Sequence, residues 1–117
     1  MRNLADIVTN YLAAALWTNE MDEFSAVCDI DTDTKAEATV HCQRFLKEAD
    51  SLLTEEWTDE QIGHDLWLTR GGHGAGFWDR NKPNAKEISE IASKNEFHGL
   101  VFEADGFVYI DGDEPKL

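Results

Sequence analysis

Apolar residues recur every three or four positions at the start of the chain, where Leu4, Ile7, Val8, Tyr11, Leu12, Ala15 and Leu16 fall on one stripe. That period predicts an amphipathic helix of about four turns, with Asn3 placed to cap it and an end near Trp17-Thr18-Asn19. An acidic connection follows as far as Asp33, in which Phe24, Val27 and Ile30 recur at every third residue and are expected to pin the segment to the body. The helical period returns over about Lys35–Leu53, with Ala38, Cys42, Phe45, Leu46, Ala49, Leu52 and Leu53 on one face. Thr34-Lys35-Ala36-Glu37 has the spacing of a capping box at its start. Thr58-Asp59-Glu60-Gln61 is a second capping signature. It predicts a short helix that carries Ile62 and stops at Gly63, with Trp57 ahead of the cap in the place of a hydrophobic staple.

The pattern changes at His64. Leu66-Trp67-Leu68-Thr69 and Ala75-Gly76-Phe77-Trp78 are two short runs rich in aliphatic and aromatic residues, separated by the glycine-dense Arg70–Gly74. This reads as a β-hairpin whose turn glycines, Gly71, Gly72 and Gly74, accept positive φ. On such a ribbon Arg80 would pair with Asp65 across the strands and fix the register, and Gly76 would let a ring or another backbone cross over it. Asn81–Pro83 then reads as a turn, and Pro83 suits the first position of a helix over about Asn84–Lys94 with Ile88 and Ile91 inward. Leu100-Val101-Phe102 and Phe107-Val108-Tyr109-Ile110, joined through Asp105-Gly106, form a second hairpin, and the acidic residues after it read as a frayed tail. The expected fold is one α+β domain over residues 1–117. Two hairpins, at about 66–78 and 99–110, make a small, mainly antiparallel sheet with three to four helices packed against it.

Charge sharpens this picture. The chain has 117 residues, a hydrophobic content of 42% and a net charge of −14, enough apolar residues for a core under an acidic surface. Residues 1–69 carry fifteen acids against four bases, residues 70–94 three against five, and residues 95–117 six against one, so a mildly basic segment sits between two acidic ones. Duplex DNA and anionic membranes draw on Lys and Arg clusters that this balance lacks, whereas a basic protein partner would be attracted and steered. No stretch approaches the ~20 apolar residues of a membrane span. Met1–Trp17 has Asp6 inside an amphipathic pattern rather than the layout of a signal peptide, so the expected compartment is the cytoplasm.

Candidate chemistry is sparse. Cys28 and Cys42 form no CxxC pair and read as free thiols. Asp29-Ile30-Asp31-Thr32-Asp33 starts like a calcium loop, but Thr34 stands at its sixth place and Val40 at its twelfth, where glycine and a bidentate glutamate are needed. His41, the His64-Asp65 pair and Asp79 or Asp105 supply the residue types of a metal-dependent phosphohydrolase, yet on a strand His64 and Asp65 would face opposite ways. No metal or cofactor is therefore expected, and His41, His64, Asp65 and Asp79 are the positions to test. Arg70, Arg80, Lys82 and Lys86, interleaved with Trp67, Trp78 and His73, could hold a nucleotide or single strand by charge and stacking. Against that, tryptophans are usually core, and the basic groups would offset neighbouring carboxylates. No GxSxG elbow, Walker loop or GxGxxG fingerprint is present.

The run His64–Arg80, HDLWLTRGGHGAGFWDR, resembles a segment of small acidic proteins of tailed bacteriophages. There, His-Asp, an aromatic or aliphatic residue, WLTR, a glycine-containing turn, GHG, a small residue and GFWDR follow in that order. Gly71-Gly72 stands where many of those proteins have Asn-Gly, and the likeness extends loosely to the helix ending in Leu16-Trp17 and to the C-terminal hairpin. The resemblance implies a phage origin and the cytoplasm of an infected bacterium, and brings no catalytic residue with it. The expected function is accordingly that of a phage accessory protein, a non-enzymatic acidic module that binds a basic host or phage protein such as a defence or DNA-handling factor. His73, Arg70, Trp78, Arg80 and Trp67 are its contact candidates, His73 first because packing explains it least.

Overall fold

The computed structural model describes residues 2–21, 23–71, 76–94 and 100–111. Helix α1 (Leu4–Thr18) begins where Asn3 accepts a hydrogen bond from the Asp6 amide at 3.2 Å, and it buries the expected stripe together with Ala14. Helix α3 (Asp59–Arg70) packs on it most extensively of all the elements. The closest approach is at Gly63, where an added Cβ would stand 2.2 Å from the Ile7 carbonyl oxygen and 2.9 Å from the Tyr11 amide nitrogen. Gly63 thus admits the backbone of α1 instead of stopping α3. Helix α2 (Thr32–Ala49) turns Ala38, His41, Cys42, Phe45 and Ala49 inward and continues into a 3₁₀ turn, Asp50–Leu52. Its cap is Asp31, which accepts from the Asp33 and Thr34 amides at 3.1 and 3.3 Å. The box expected at Thr34–Glu37 therefore lies inside the helix.

The hairpin expected at 66–78 does not form. The capping signal at Thr58 is real, its hydroxyl accepting from the Gln61 amide at 3.1 Å, but the helix it starts runs on to Arg70, eleven residues past its first. Leu66, Trp67 and Leu68 are all buried, as on a helix covered from several sides. A short continuous apolar run fits a buried strand and a buried helix equally well, and the glycines that follow Arg70 in the sequence favour the strand. After Gly71 caps the helix, a 3₁₀ turn at Phe77–Asp79 brings Phe77 into the core, stacked on Phe45 at 5.3 Å and edge-on to Trp57 at 5.5 Å. The closest neighbour of Gly76 is a side chain and not the expected ring or crossing backbone: a Cβ there would lie 2.0 Å from the Thr69 hydroxyl. Residues 72–75 of the expected turn lie outside the described ones.

Helix α4 (Ala85–Ser93) carries Ile88 and Ala92 inward, with Asn84 in the left-handed region at φ 66° as its cap, so Pro83 precedes the cap and does not open the helix. The C-terminal hairpin forms as expected: β1 (Leu100–Ala104) pairs antiparallel with β2 (Phe107–Asp111), Phe102 opposite Tyr109. Asp105 and Gly106, with φ of 53° and 86°, supply the two left-handed residues of a tight turn. The acidic connection reaches this hairpin, since the Asp31 amide donates to the Val108 carbonyl at 2.9 Å and the Val108 amide to the Asp29 carbonyl at 2.7 Å. Of its three expected anchors Ile30 is buried and Phe24 half-buried, while Val27 is exposed. Among the described residues the architecture is thus α+β, but helices dominate and the sheet is a single two-stranded ribbon. No described helix is long and apolar enough to cross a membrane.

Candidate functional site

On α1 the residues beside the buried stripe, Asn10, Ala13, Ala14 and Trp17, follow the spacing of one helical face, and the two alanines leave a shallow shelf between the larger ends. The first turns of α3 put Glu60, Gln61 and His64 opposite, with Thr58 at the cap and Arg80 closing one side. Together they line a groove of about 550 Å³. Trp17 is 60% exposed at its rim, and its ring lies 5.8 Å from that of His64 at a tilt of 35°. The indole is therefore in tilted contact with an imidazole, and much of its surface meets solvent.

The groove is held in shape from below. Asp65, 1% exposed, accepts two hydrogen bonds from Arg80, Nε to Oδ2 at 2.7 Å and Nη2 to Oδ1 at 2.9 Å, a bidentate fork that fixes the guanidinium plane. His64 Nδ1 lies 3.4 Å from the same carboxylate. The hydrogen bond to Asp65 pushes the Arg80 pKa up against the opposing effect of burial, and the charges of Asp65, Asp79 and Glu60 add to it. Three carboxylates thus act on one guanidinium, leaving this corner net negative. Beyond Thr58 a second groove, of about 470 Å³, continues past Asp50, Glu55 and Asp59. Arg2 sits in it, donating to the carbonyls of Leu53 at 3.2 Å, Thr54 at 2.6 Å and Trp57, with Asp59 at 3.5 Å.

The contact candidates scatter. Arg80 lines the groove, and Trp78 is 55% exposed in the 3₁₀ turn. Trp67 and Arg70 are interior: Trp67 packs edge-on to Tyr11 at 5.4 Å and donates to the Thr18 hydroxyl at 2.8 Å, and Arg70 donates to the Tyr11 hydroxyl at 2.7 Å. His73 lies outside the described residues. The pairing of Arg80 with Asp65 is as expected, but it joins a helix to a 3₁₀ turn and not two strands. Trp17, read only as a helix end, is the residue the sequence reading missed. Its place seven residues after Asn10, on a face otherwise made of alanine, was the available signal.

The metal candidates do not converge. His41 is buried on α2, Asp79 is exposed, and among the described residues no three of His, Cys, Asp and Glu are grouped to hold an ion. Asp29 accepts from the Ser25 amide at 2.7 Å and Asp31 caps α2, so two of the calcium-like aspartates serve local structure. Cys42 is fully buried, which pushes its thiol up to about 12, the Arg70 charge opposing, whereas Cys28 is exposed. Comparison with known proteins returned no matching family profile, curated protein or solved structure.

Proposed function

We propose that this protein is a non-enzymatic, acidic protein-binding module, a phage accessory factor that acts in the cytoplasm of an infected bacterium on a partner with a basic surface, such as a host defence or DNA-handling protein. The observation that carries this reading is the unequal use of charge. Five of the ten bases are engaged within the fold: Arg2, Lys35 and Lys82 donate to backbone carbonyls, Arg70 to Tyr11 and Arg80 to Asp65. The carboxylates of Glu20, Glu37, Glu48, Asp50, Glu55, Glu56 and Glu60 are meanwhile exposed. These cations still count in the net charge of −14, but each is tied to a partner within the fold, so the exposed carboxylates meet an approaching molecule in excess, and such a field steers and retains a basic macromolecule.

The same bookkeeping weakens the single-strand reading. Of its basic set, Arg70, Arg80 and Lys82 already have partners inside the fold, and Trp67 is core. The test is capture from bacterial lysate followed by calorimetric titration of the purified partner over a salt series. A stoichiometric complex with a basic protein, weakening steeply with salt, is expected. Preference for an oligonucleotide over any captured protein, or no stoichiometric complex at low salt, would overturn the reading.

A further inference from the structure

The groove between α1 and α3 combines an exposed indole, a fixed floor and an excess of negative charge, and these three features together select a ligand. We propose that it is the pocket for an arginine side chain of the basic partner, whose guanidinium stacks on the open face of Trp17 with Glu60 as its counter-charge. This assignment rests on the protein-binding reading above and names the chemistry that the site would recognise.

Three observations lead there. Trp17 is 60% exposed yet oriented, because His64 packs at 5.8 Å from its ring. Tryptophan is the aromatic that attracts cations best, and a ring already held in place loses little freedom on binding. Secondly, the one guanidinium in the groove does not make it an anion site. Asp65 binds Arg80 through two nitrogens, at 2.7 and 2.9 Å, Glu60 lines the same groove, and the Asp79 charge also acts on the guanidinium, so carboxylates outnumber the one cation. Thirdly, a second groove that shares Thr58 with the first is lined by Asp50, Glu55 and Asp59, where a second base of the partner would find acids in excess over Arg2. Arginine is preferred to lysine because its planar head can stack on the ring and bond a carboxylate at once.

The test uses the full-length protein and a fluorescein-labelled peptide of glycine, serine and three spaced arginines, read by anisotropy in 20 mM salt. Trp17→Ala is expected to weaken binding about tenfold, Trp17→Phe about threefold and Glu60→Gln about threefold to fivefold. Glu87→Gln, which removes the same charge from α4, and Phe107→Ala, on β2, should each stay within about twofold. Circular dichroism checks the fold of each variant, and Trp17→Phe retains a ring should the alanine variant unfold. A Trp17→Phe and Glu60→Gln pair indistinguishable from Glu87→Gln would overturn the pocket while leaving the acidic-module reading standing. So would equal binding of a peptide with phenylalanine in place of arginine. No binding of the arginine peptide by the wild type would instead sink the acidic-module reading itself.

Discussion

Replacing Gly63 by alanine separates local propensity from packing, because the two predict opposite signs. Alanine is favoured over glycine in a helix interior by about 1 kcal/mol, so on propensity alone Gly63→Ala stabilises α3. The structure requires the reverse. The new Cβ would lie 2.2 Å from the Ile7 carbonyl oxygen and 2.9 Å from the Tyr11 amide, both backbone atoms that no rotamer change can move aside. Restoring ordinary contact means parting α1 from α3 by about 1 Å, a gap that forfeits a quarter to a half of the dispersion energy at each contact it opens. That interface holds Ile7, Tyr11, Leu66 and Trp67, and overpacking of this kind costs roughly 1–3 kcal/mol, the upper end where backbone meets the new atom. After the propensity gain the net loss is about 2 kcal/mol, or about 8 °C in Tm for a domain of this size. Urea denaturation followed by far-UV circular dichroism measures it. A midpoint at or above that of the wild type would show that the helices do not approach this closely, and the account of the α1–α3 core would fail with it.

Arg80→Gln leaves the nearly inaccessible Asp65 carboxylate without its fork and should cost about 3 kcal/mol, with Asp65→Asn non-additive to it in a double-mutant cycle. A coupling near zero would contradict the bidentate pair. Asp31→Ala removes the cap that α2 uses and should cost about 1 kcal/mol by the same denaturation assay, while Asp31→Asn should change little. Cys42 holds its proton in the fold up to about 12 against an ordinary value of 9.0, so its contribution is fully present below pH 9 and lost as pH rises from there toward 12. The loss is about 1.4 kcal/mol per pH unit in that window, read as a stability advantage over Cys42→Ala that shrinks between pH 8 and 11. Thiol labelling at pH 8 should modify Cys28 in the native protein and Cys42 only in denaturant.

Where one face of an element is wet and the other dry, its period was plain in the sequence. The stripe Leu4–Leu16 and the face Ala38–Ala49 gave α1 and α2, and the Asp-Gly turn marked the hairpin of β1 and β2. Legibility failed where an element is covered on more than one side. On α3 the burial of Leu66, Trp67 and Leu68 erases the period, and a glycine needed for helix contact looks like one needed for a stop. The capping of α2 was misplaced by three residues for a related reason: Asp31 and Thr34 are both sound caps locally, and the bond from the Asp31 amide to Val108 decides between them. The groove was legible only in part. Arg80 and its link to Asp65 follow from charge complementarity, which survives an error in backbone geometry, but the role of Trp17 depends on which helix faces it.

The placement of the bases explains why the acidic surface and the packing of this chain are one design. The segment Asp50–Glu60 contains five carboxylates and no base, and it must still lie against the start of α1 and the turn before α4. Arg2 reaches it from the first side, bonding the Leu53, Thr54 and Trp57 carbonyls, and Lys82 from the second, bonding the Glu56 carbonyl and the Gln61 side chain while lying 5.5 Å over the Trp57 ring. Both cations chiefly satisfy backbone oxygens, Arg2 alone also meeting a carboxylate, Asp59 at 3.5 Å, while Asp50, Glu55, Glu56 and Glu60 are exposed to water. Neutralising Glu55 and Glu56 to glutamine should therefore leave the fold unchanged, within about 0.5 kcal/mol, because both side chains are exposed and among the described residues no hydrogen bond or ion pair that orders the segment uses them. The same double change should weaken association with a basic partner severalfold at low salt and hardly at all at high salt. A loss of stability with no change in association would place these acids in the architecture and remove the physical basis for a charge-steered interface.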